Sequence, residues 1–158
     1  MSLQRNISCV GPCAAGFYCP EGSTNATQLA CGNATVYCPA ESGASIPVSP
    51  GYYSDGNVNV TRRDRQTVCA AGQYCTDGEA KPCPATYFGR TPGLSLVVCS
   101  GLCPARYFCP QGTVDPLPCG GDTVFCAAGS SLPSSVFTGY YTTGGSGGNA
   151  SYYRTAQR

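Results

Sequence analysis

Apolar residues along this chain stand singly or in pairs, scattered among glycine, proline and cysteine. They form neither helical nor strand-length runs, so the expected fold has little or no helix. One segment carries a hairpin signal. Gly51 to Thr61 (GYYSDGNVNVT) sets a tyrosine pair and two alternating valines on either side of Asp55-Gly56, a dipeptide favoured in type I′ turns. Ser95 to Val98 reads as a short strand. Residues 39–50 (PAESGASIPVSP) lack any period and read as a connector, and the charged stretch Arg62 to Gln66 reads as a solvated face.

A second pattern overrides these local ones. Cys9, Cys13 and Cys19 recur as Cys99, Cys103 and Cys109, each 90 residues on, and Cys31, Cys38 and Gly51 recur as Cys119, Cys126 and Gly139, each 88 residues on. Tyr52-Tyr53 returns as Tyr140-Tyr141, and Asn149 follows Asn59 by 90. Register kept over so many positions marks a repeat architecture. The boundaries it implies are a first unit over residues 1–98, with cysteine knots at 9–38 and 69–83, and a second, truncated unit over 99–158. By the 90-residue register the counterpart of Cys69 falls at 159. The first unit holds eight cysteines and the second five (Cys99, Cys103, Cys109, Cys119, Cys126). The odd total is expected to reflect a longer repetitive chain cut within a unit; an intermolecular disulfide and a reactive free thiol are the alternatives.

Composition explains how such a chain could fold. Thirteen cysteines in 158 residues reach the density of a disulfide scaffold, in which covalent staples replace a large apolar core. Zinc is disfavoured, because histidine is absent and the tight pairs are Cys-x3-Cys rather than Cys-x2-Cys. All of Cys9, Cys13, Cys19, Cys31, Cys38, Cys69, Cys75, Cys83, Cys99, Cys103, Cys109, Cys119 and Cys126, apart from one, are therefore expected in disulfides, paired alike in the two units. That places the chain in the secretory pathway, outside the cell or at its surface. Met1 to Arg5 lacks the apolar segment of a signal peptide, so the natural start is expected upstream.

Asparagine usage points the same way. Five of six asparagines begin an Asn-x-Ser/Thr sequon: Asn6, Asn25, Asn33, Asn59 and Asn149. These are the candidate N-glycosylation sites. Net charge is +1 with no basic or acidic block, which argues against nucleic acid as a partner. No apolar run approaches the ~20 residues of a membrane-spanning helix.

Catalytic chemistry finds no foothold. Without histidine there is no triad or imidazole base, and no pair of carboxylates recurs between the units. Gly144 to Gly148 lacks the lysine of a phosphate loop. No cofactor and no metal are expected, covalent glycans apart, and the chain is not expected to be an enzyme. The aromatic residues instead have a packing place: Tyr18, Tyr37, Tyr74, Phe108 and Phe125 each precede a cysteine, where a ring can shield a disulfide. The doublets Tyr52-Tyr53, Tyr140-Tyr141 and Tyr152-Tyr153 lie outside the knots. Neighbours in a strand face opposite ways, so each doublet offers one outward ring as a candidate assembly contact.

The segments AAGFYCPEGS (14–23), AAGQYCTDG (70–78), PCPATYFG (82–89) and CPARYFCPQGT (103–113) resemble the Cys-Pro-Ala-Gly-x-Tyr-Cys modules of the ephrin-receptor-like cysteine-rich family. The long unit is similar to tandem arrays in algal and protist surface proteins. The resemblance implies small disulfide modules in series, used by receptors, matrix and appendages alike. Arg106 stands where the family has glycine, which puts the local turn in question. Together these observations predict a small disulfide-rich fold, mostly irregular with short β-hairpins, in an elongated tandem repeat. The expected role is a structural glycoprotein segment of a surface fibre, appendage or coat. Its expected partners are copies of itself or further repeats, assembled head to tail. The alternative is a receptor or adhesin ectodomain that binds a protein or carbohydrate.

Overall fold

The computed structural model describes residues 11–56, 60–144 and 155–158. Among them there is no helix, and the strands pair with their sequence neighbours into two-stranded hairpins. In chain order β1 (Phe17–Tyr18) pairs with β2 (Leu29–Ala30), β3 (Val36–Tyr37) with β4 (Ile46–Pro47), and β5 (Tyr52–Asp55) with β6 (Arg65–Val68). β7 (Gln73–Thr76) pairs with β8 (Glu79–Pro82), β9 (Tyr87–Phe88) with β10 (Gly101–Leu102), and β11 (Tyr107–Phe108) with β12 (Leu117–Pro118). β13 (Val124–Phe125) pairs with β14 (Ser134–Ser135), and β15 (Thr142–Thr143) with β16 (Ala156–Gln157). Isolated hairpins this short are not stable by themselves, so something else must hold them.

Sulfur does so. Among the described residues every buried hydrophobic side chain is a cysteine, and Cys38, Cys69, Cys83, Cys103, Cys109 and Cys126 are wholly enclosed. Cys13–Cys19, Cys69–Cys75 and Cys103–Cys109 each close a ring over a sequence separation of 6. Cys31–Cys38 and Cys119–Cys126 span 7, and Cys83–Cys99 spans 16. The pairing of Cys13–Cys19 and Cys31–Cys38 in the first repeat is that of Cys103–Cys109 and Cys119–Cys126 in the second. Cys9 lies outside the described residues. Tyr18, Tyr37, Phe108 and Phe125, half-buried on β1, β3, β11 and β13, sit beside these rings, as does Tyr74 on β7.

Each ring is tied to the next segment by backbone hydrogen bonds of one pattern. In the ring opening at Cys13, Gly16 N–H donates to Cys38 O, Cys19 N–H to Ser42 O, and Glu41 N–H returns to Cys13 O, all at 2.8–2.9 Å. The ring at Cys103 repeats this with Arg106 to Cys126, Cys109 to Ser130 and Gly129 to Cys103. The ring at Cys69 does so with Gly72 to Gly89, Cys75 to Leu94 and Gly93 to Cys69. The turn residue of each ring holds a left-handed backbone: φ is 82° at Gly16, 80° at Gly72 and 80° at Arg106. The glycine missing at position 106 therefore leaves the turn unchanged, at the cost of a strained arginine backbone.

The segment from Cys83 to Gly89 obeys the same pattern without closing. Thr86 N–H donates to Cys109 O, Gly89 to Thr113 O and Gly112 to Cys83 O, and Thr86 holds φ 83°. Gly89 occupies the place where the rings closed over a separation of 6 have their second cysteine. A Cβ at Gly89 would lie 2.7 Å from Cys83 Sγ. With no thiol there, Cys83 bonds Cys99 instead.

Several local expectations give way to this frame. Asp55-Gly56 does not make a two-residue turn: Gly56 does not have the positive φ that a type I′ turn requires, and the strand that pairs with β5 begins only at Arg65. The type I′ turn belongs to Asp77-Gly78, which joins β7 to β8 with φ of 54° and 73°. Ser95 to Val98 is not a strand; Val97 to Ser100 form a turn in which Cys99 has φ 48°. The span 39–50 contains β4. Arg62 to Gln66 is not only a solvated face, since Arg65 and Gln66 belong to β6 and the Arg62 guanidinium lies 5.1 Å from the Phe17 ring centroid.

The return strand of the second hairpin also shifts the repeat register. Ser49 N–H bonds Gln66 Oε1 and Asp64 N–H bonds Asp55 O; their counterparts are Phe137 to Gln157 and Thr155 to Thr143. Gln157 follows Gln66, and Thr155 follows Asp64, by 91 residues rather than 90. The return strand is therefore one residue out of the 90-residue register.

By packing, the chain divides into two compact units. One comprises Met1–Ser49, Tyr53–Thr67 and Asp77–Glu79; the other comprises Pro50–Tyr52, Val68–Thr76 and Ala80–Arg158. This division is distinct from the sequence period, whose boundary at 98/99 is bridged by Cys83–Cys99.

Candidate functional site

Two of the sequons lie in described turns, and both take one geometry. Asn25 stands in the β1–β2 connection, where Thr27 N–H donates to Asn25 Oδ1 at 3.0 Å and Thr27 Oγ1 approaches the same oxygen at 3.4 Å. Asn33 precedes β3, and Thr35 N–H and Oγ1 reach Asn33 Oδ1 at 3.0 and 2.6 Å. Each is an Asx turn, the local closure that asparagine favours because its side chain can replace a backbone carbonyl. In both, the sequon hydroxyl is bonded to the carboxamide of its own asparagine. Asn25, Thr27, Asn33 and Thr35 are all exposed. Asn6, Asn59 and Asn149 lie outside the described residues.

The tyrosine doublets differ between the repeats. On β5, Tyr52 is 36 % exposed and Tyr53 half-buried, one ring to each side as strand geometry demands. In the second repeat Tyr140 and Tyr141 are 56 % and 64 % exposed. Tyr152 and Tyr153 lie outside the described residues. A wide, open groove runs beside the second doublet, lined by Asp122, Val136, Phe137, Tyr140, Tyr141 and Thr142.

Under each hairpin one hydroxyl fixes the strand to the preceding ring. Ser54, 1 % exposed, donates from Oγ to Ala34 O, and Thr142 Oγ1 donates to Asp122 O at 3.0 Å. These residues were not singled out by sequence reasoning. The signal was present, because Ser54 and Thr142, like Ala34 and Asp122, keep the 88-residue register.

Charged groups are few and lie at the surface. Asp55 Oδ1 accepts the Gly56 N–H at 2.7 Å, and Arg65 Nη2 lies 3.3 Å from Asp55 Oδ2. The Gly56 bond chiefly holds the Asp55 carboxyl below its ordinary range; burial, the next largest effect, opposes it, and Arg65 and then Arg63 add to the lowering. Arg90 Nε meets Asp115 Oδ1 at 2.7 Å, with both side chains mostly in solvent. Among the described residues no three metal-ligating side chains converge, and no helix is long and apolar enough to cross a membrane. The twelve described cysteines are all in disulfides, a state that belongs to an oxidising compartment.

No family model matches this chain, and no solved structure matches it. Among curated proteins, a stretch of 97 residues is 29 % identical to "Putative white-brown complex homolog protein 30" of Arabidopsis thaliana. The match covers 50 % of this chain and 8 % of that protein, so the chain corresponds to a small part of its relative.

Proposed function

We propose that this chain is a structural segment of a secreted, N-glycosylated surface protein, built from ephrin-receptor-like modules in series and assembling end to end into a fibre, appendage or coat. One observation carries the reading. The three-bond link between a ring and the next segment recurs at Cys13, Cys69, Cys83 and Cys103 with the same donors and acceptors. The links use backbone groups alone, so they tolerate changes of sequence and can be repeated. Such an array gains stability from each neighbour added. Its mechanism is mechanical: disulfides resist unfolding where no apolar core does, and glycans at Asn25, Asn33 and the remaining sequons keep the surface solvated. The reading assigns the chain no catalysis.

Native material provides the test. Mass measurement and electron microscopy of the natively sourced protein should show a polymer. A monodisperse monomer would transfer the exposed tyrosines to a foreign ligand and favour a receptor or adhesin.

A further inference from the structure

The second repeat carries a face that the first repeat keeps covered. Gly51 and Gly139 are counterparts, with φ of 80° and 89°. Gly51 is buried: Cys69 N–H donates to Gly51 O at 2.9 Å, Gly93 N–H donates to Cys69 O at 2.9 Å, and a Cβ at Gly51 would lie 2.2 Å from Gly93 O. The ring opening at Cys69 and the turn at Thr91–Leu94 thus close over it. Among the described residues, a Cβ at Gly139 would meet nothing within 4 Å. Among the described residues no backbone N–H reaches the Gly139 carbonyl. Around it Phe137, Tyr140 and Tyr141 are 68 %, 56 % and 64 % exposed, an apolar cluster of the kind that marks an interaction surface.

We infer that the face formed by Val136–Thr142 is a docking surface for a cystine module of the Cys69–Cys99 kind, entering directly after β16. The hydrogen bonds around β16 match those around β6, so this face has the same entry strand as its covered counterpart. In the first repeat, Cys69 follows β6 immediately and caps Gly51. The occupant needs a backbone N–H one step beyond the strand and a glycine turn, as at Gly93, that can lie flat on Gly139. The inference rests on the structural-repeat reading and names the partner that such an assembly would use.

The test joins a copy of residues 68–99 directly after Arg158 and compares this extended chain with the original by amide hydrogen exchange, with disulfides mapped in both. Exchange across Phe137–Thr142 should slow by about tenfold or more in the extended chain, and Gly139→Ala in that chain should abolish the slowing. Unchanged exchange, or slowing that survives Gly139→Ala, overturns the proposal. Protection of Phe137–Thr142 that grows with concentration in the original chain also overturns it, because the occupant is then a second molecule. A measurement on the original chain decides the case in which the added module mispairs its cysteines. There Gly51→Ala should raise exchange at Tyr52–Ser54 toward the rate at Tyr140–Thr142, and the absence of that rise refutes the covered-versus-open contrast. Docking without polymer in native material would remove the fibre reading and leave this face standing; polymer with the face unprotected would do the reverse.

Discussion

Gly78→Ala should be among the most damaging single-methyl changes in this protein, and Gly22→Ala supplies its control. Both glycines have left-handed backbones, with φ of 73° and 84°. Alanine there costs about 1–2 kcal/mol in strain, offset by ~0.4–1 kcal/mol of lost unfolded-state freedom. At Gly22 the added Cβ meets nothing within 4 Å among the described residues, so that small net cost is the whole effect. At Gly78 it would sit 1.7 Å from Ala34 O and 2.4 Å from Ala34 C. No side chain can flex to relieve this, because both atoms are backbone. The Asp77-Gly78 turn must lift by more than an ångström. Lifting it breaks the 3.0 Å bond from Ser54 N–H to Gly78 O and displaces the carbonyl that takes the Ser54 hydroxyl. Stranding buried polar groups costs about 1–3 kcal/mol each, so the total is about 3–5 kcal/mol. Against a typical stability of ~5–15 kcal/mol that is a large share. Urea unfolding with disulfides intact, at a slope of ~2 kcal/mol/M, should move the midpoint by about 2 M for Gly78→Ala and by under ~0.8 M for Gly22→Ala. Two variants that unfold within ~0.25 M of each other, about 0.5 kcal/mol at that slope, would refute the close-approach argument.

Thr86→Gly and Arg106→Gly should each raise stability by about 0.5–1 kcal/mol, the relieved strain exceeding the extra freedom of glycine in the unfolded chain; thermal melts read the sign directly. Replacing Cys83 and Cys99 together by serine should cost about 3 kcal/mol, against about 2 kcal/mol for Cys69 with Cys75, because the first pair closes the longer loop; equal losses in denaturant titration would contradict this. The depressed Asp55 pKa stabilises the fold above the unfolded carboxylate value near pH 4. That contribution falls away as acid protonates the unfolded chain first. Asp55→Asn should therefore lower the urea midpoint slightly at neutral pH, leave it nearly unchanged in strong acid, and so flatten the decline below about pH 4. Intact-mass analysis before and after enzymatic glycan removal should show glycans at Asn25 and Asn33 in secreted material, and unoccupied peptides there would count against the Asx-turn sites.

The disulfide-rich, hairpin-bearing fold, without helix among the described residues, was legible because cysteine spacing is a global signal that local preference cannot override. That pairing is alike in the two repeats followed from the register of Cys13, Cys19, Cys31 and Cys38 with their counterparts, but which cysteine bonds which did not. The turn chemistry was legible only in part. Asp-Gly occurs twice, and the two behave differently for a local reason. The Asp55 carboxylate takes the Gly56 N–H, whereas Asp77-Gly78 is framed by two four-residue strands that pair across it. Ser95 to Val98 has β-branched composition, but its end is tethered by Cys99 to Cys83, and a tether bends a strand that has no partner. Least legible was the backbone link between rings, since N–H and C=O groups leave no trace in side-chain identity. Its one sequence mark was the recurrent glycine three places after a cysteine, which Thr86 and Arg106 obscure.

The glycine at position 89 has a consequence for a chain under tension. Rings closed over a separation of 6 have little length to give, and pulling on one finds the load passing almost directly from sulfur to sulfur. The Cys83–Cys99 crosslink is different. Its Cα atoms are held 6.1 Å apart across a separation of 16 residues, a stretch of chain that could extend to roughly 50 Å if released. A repeat built this way would hold a long reserve of slack, locked while the bond is oxidised and let out when a thiol reductant opens it. A material made of such repeats would stay stiff in oxidising surroundings and lengthen, one reserve at a time, as it is reduced.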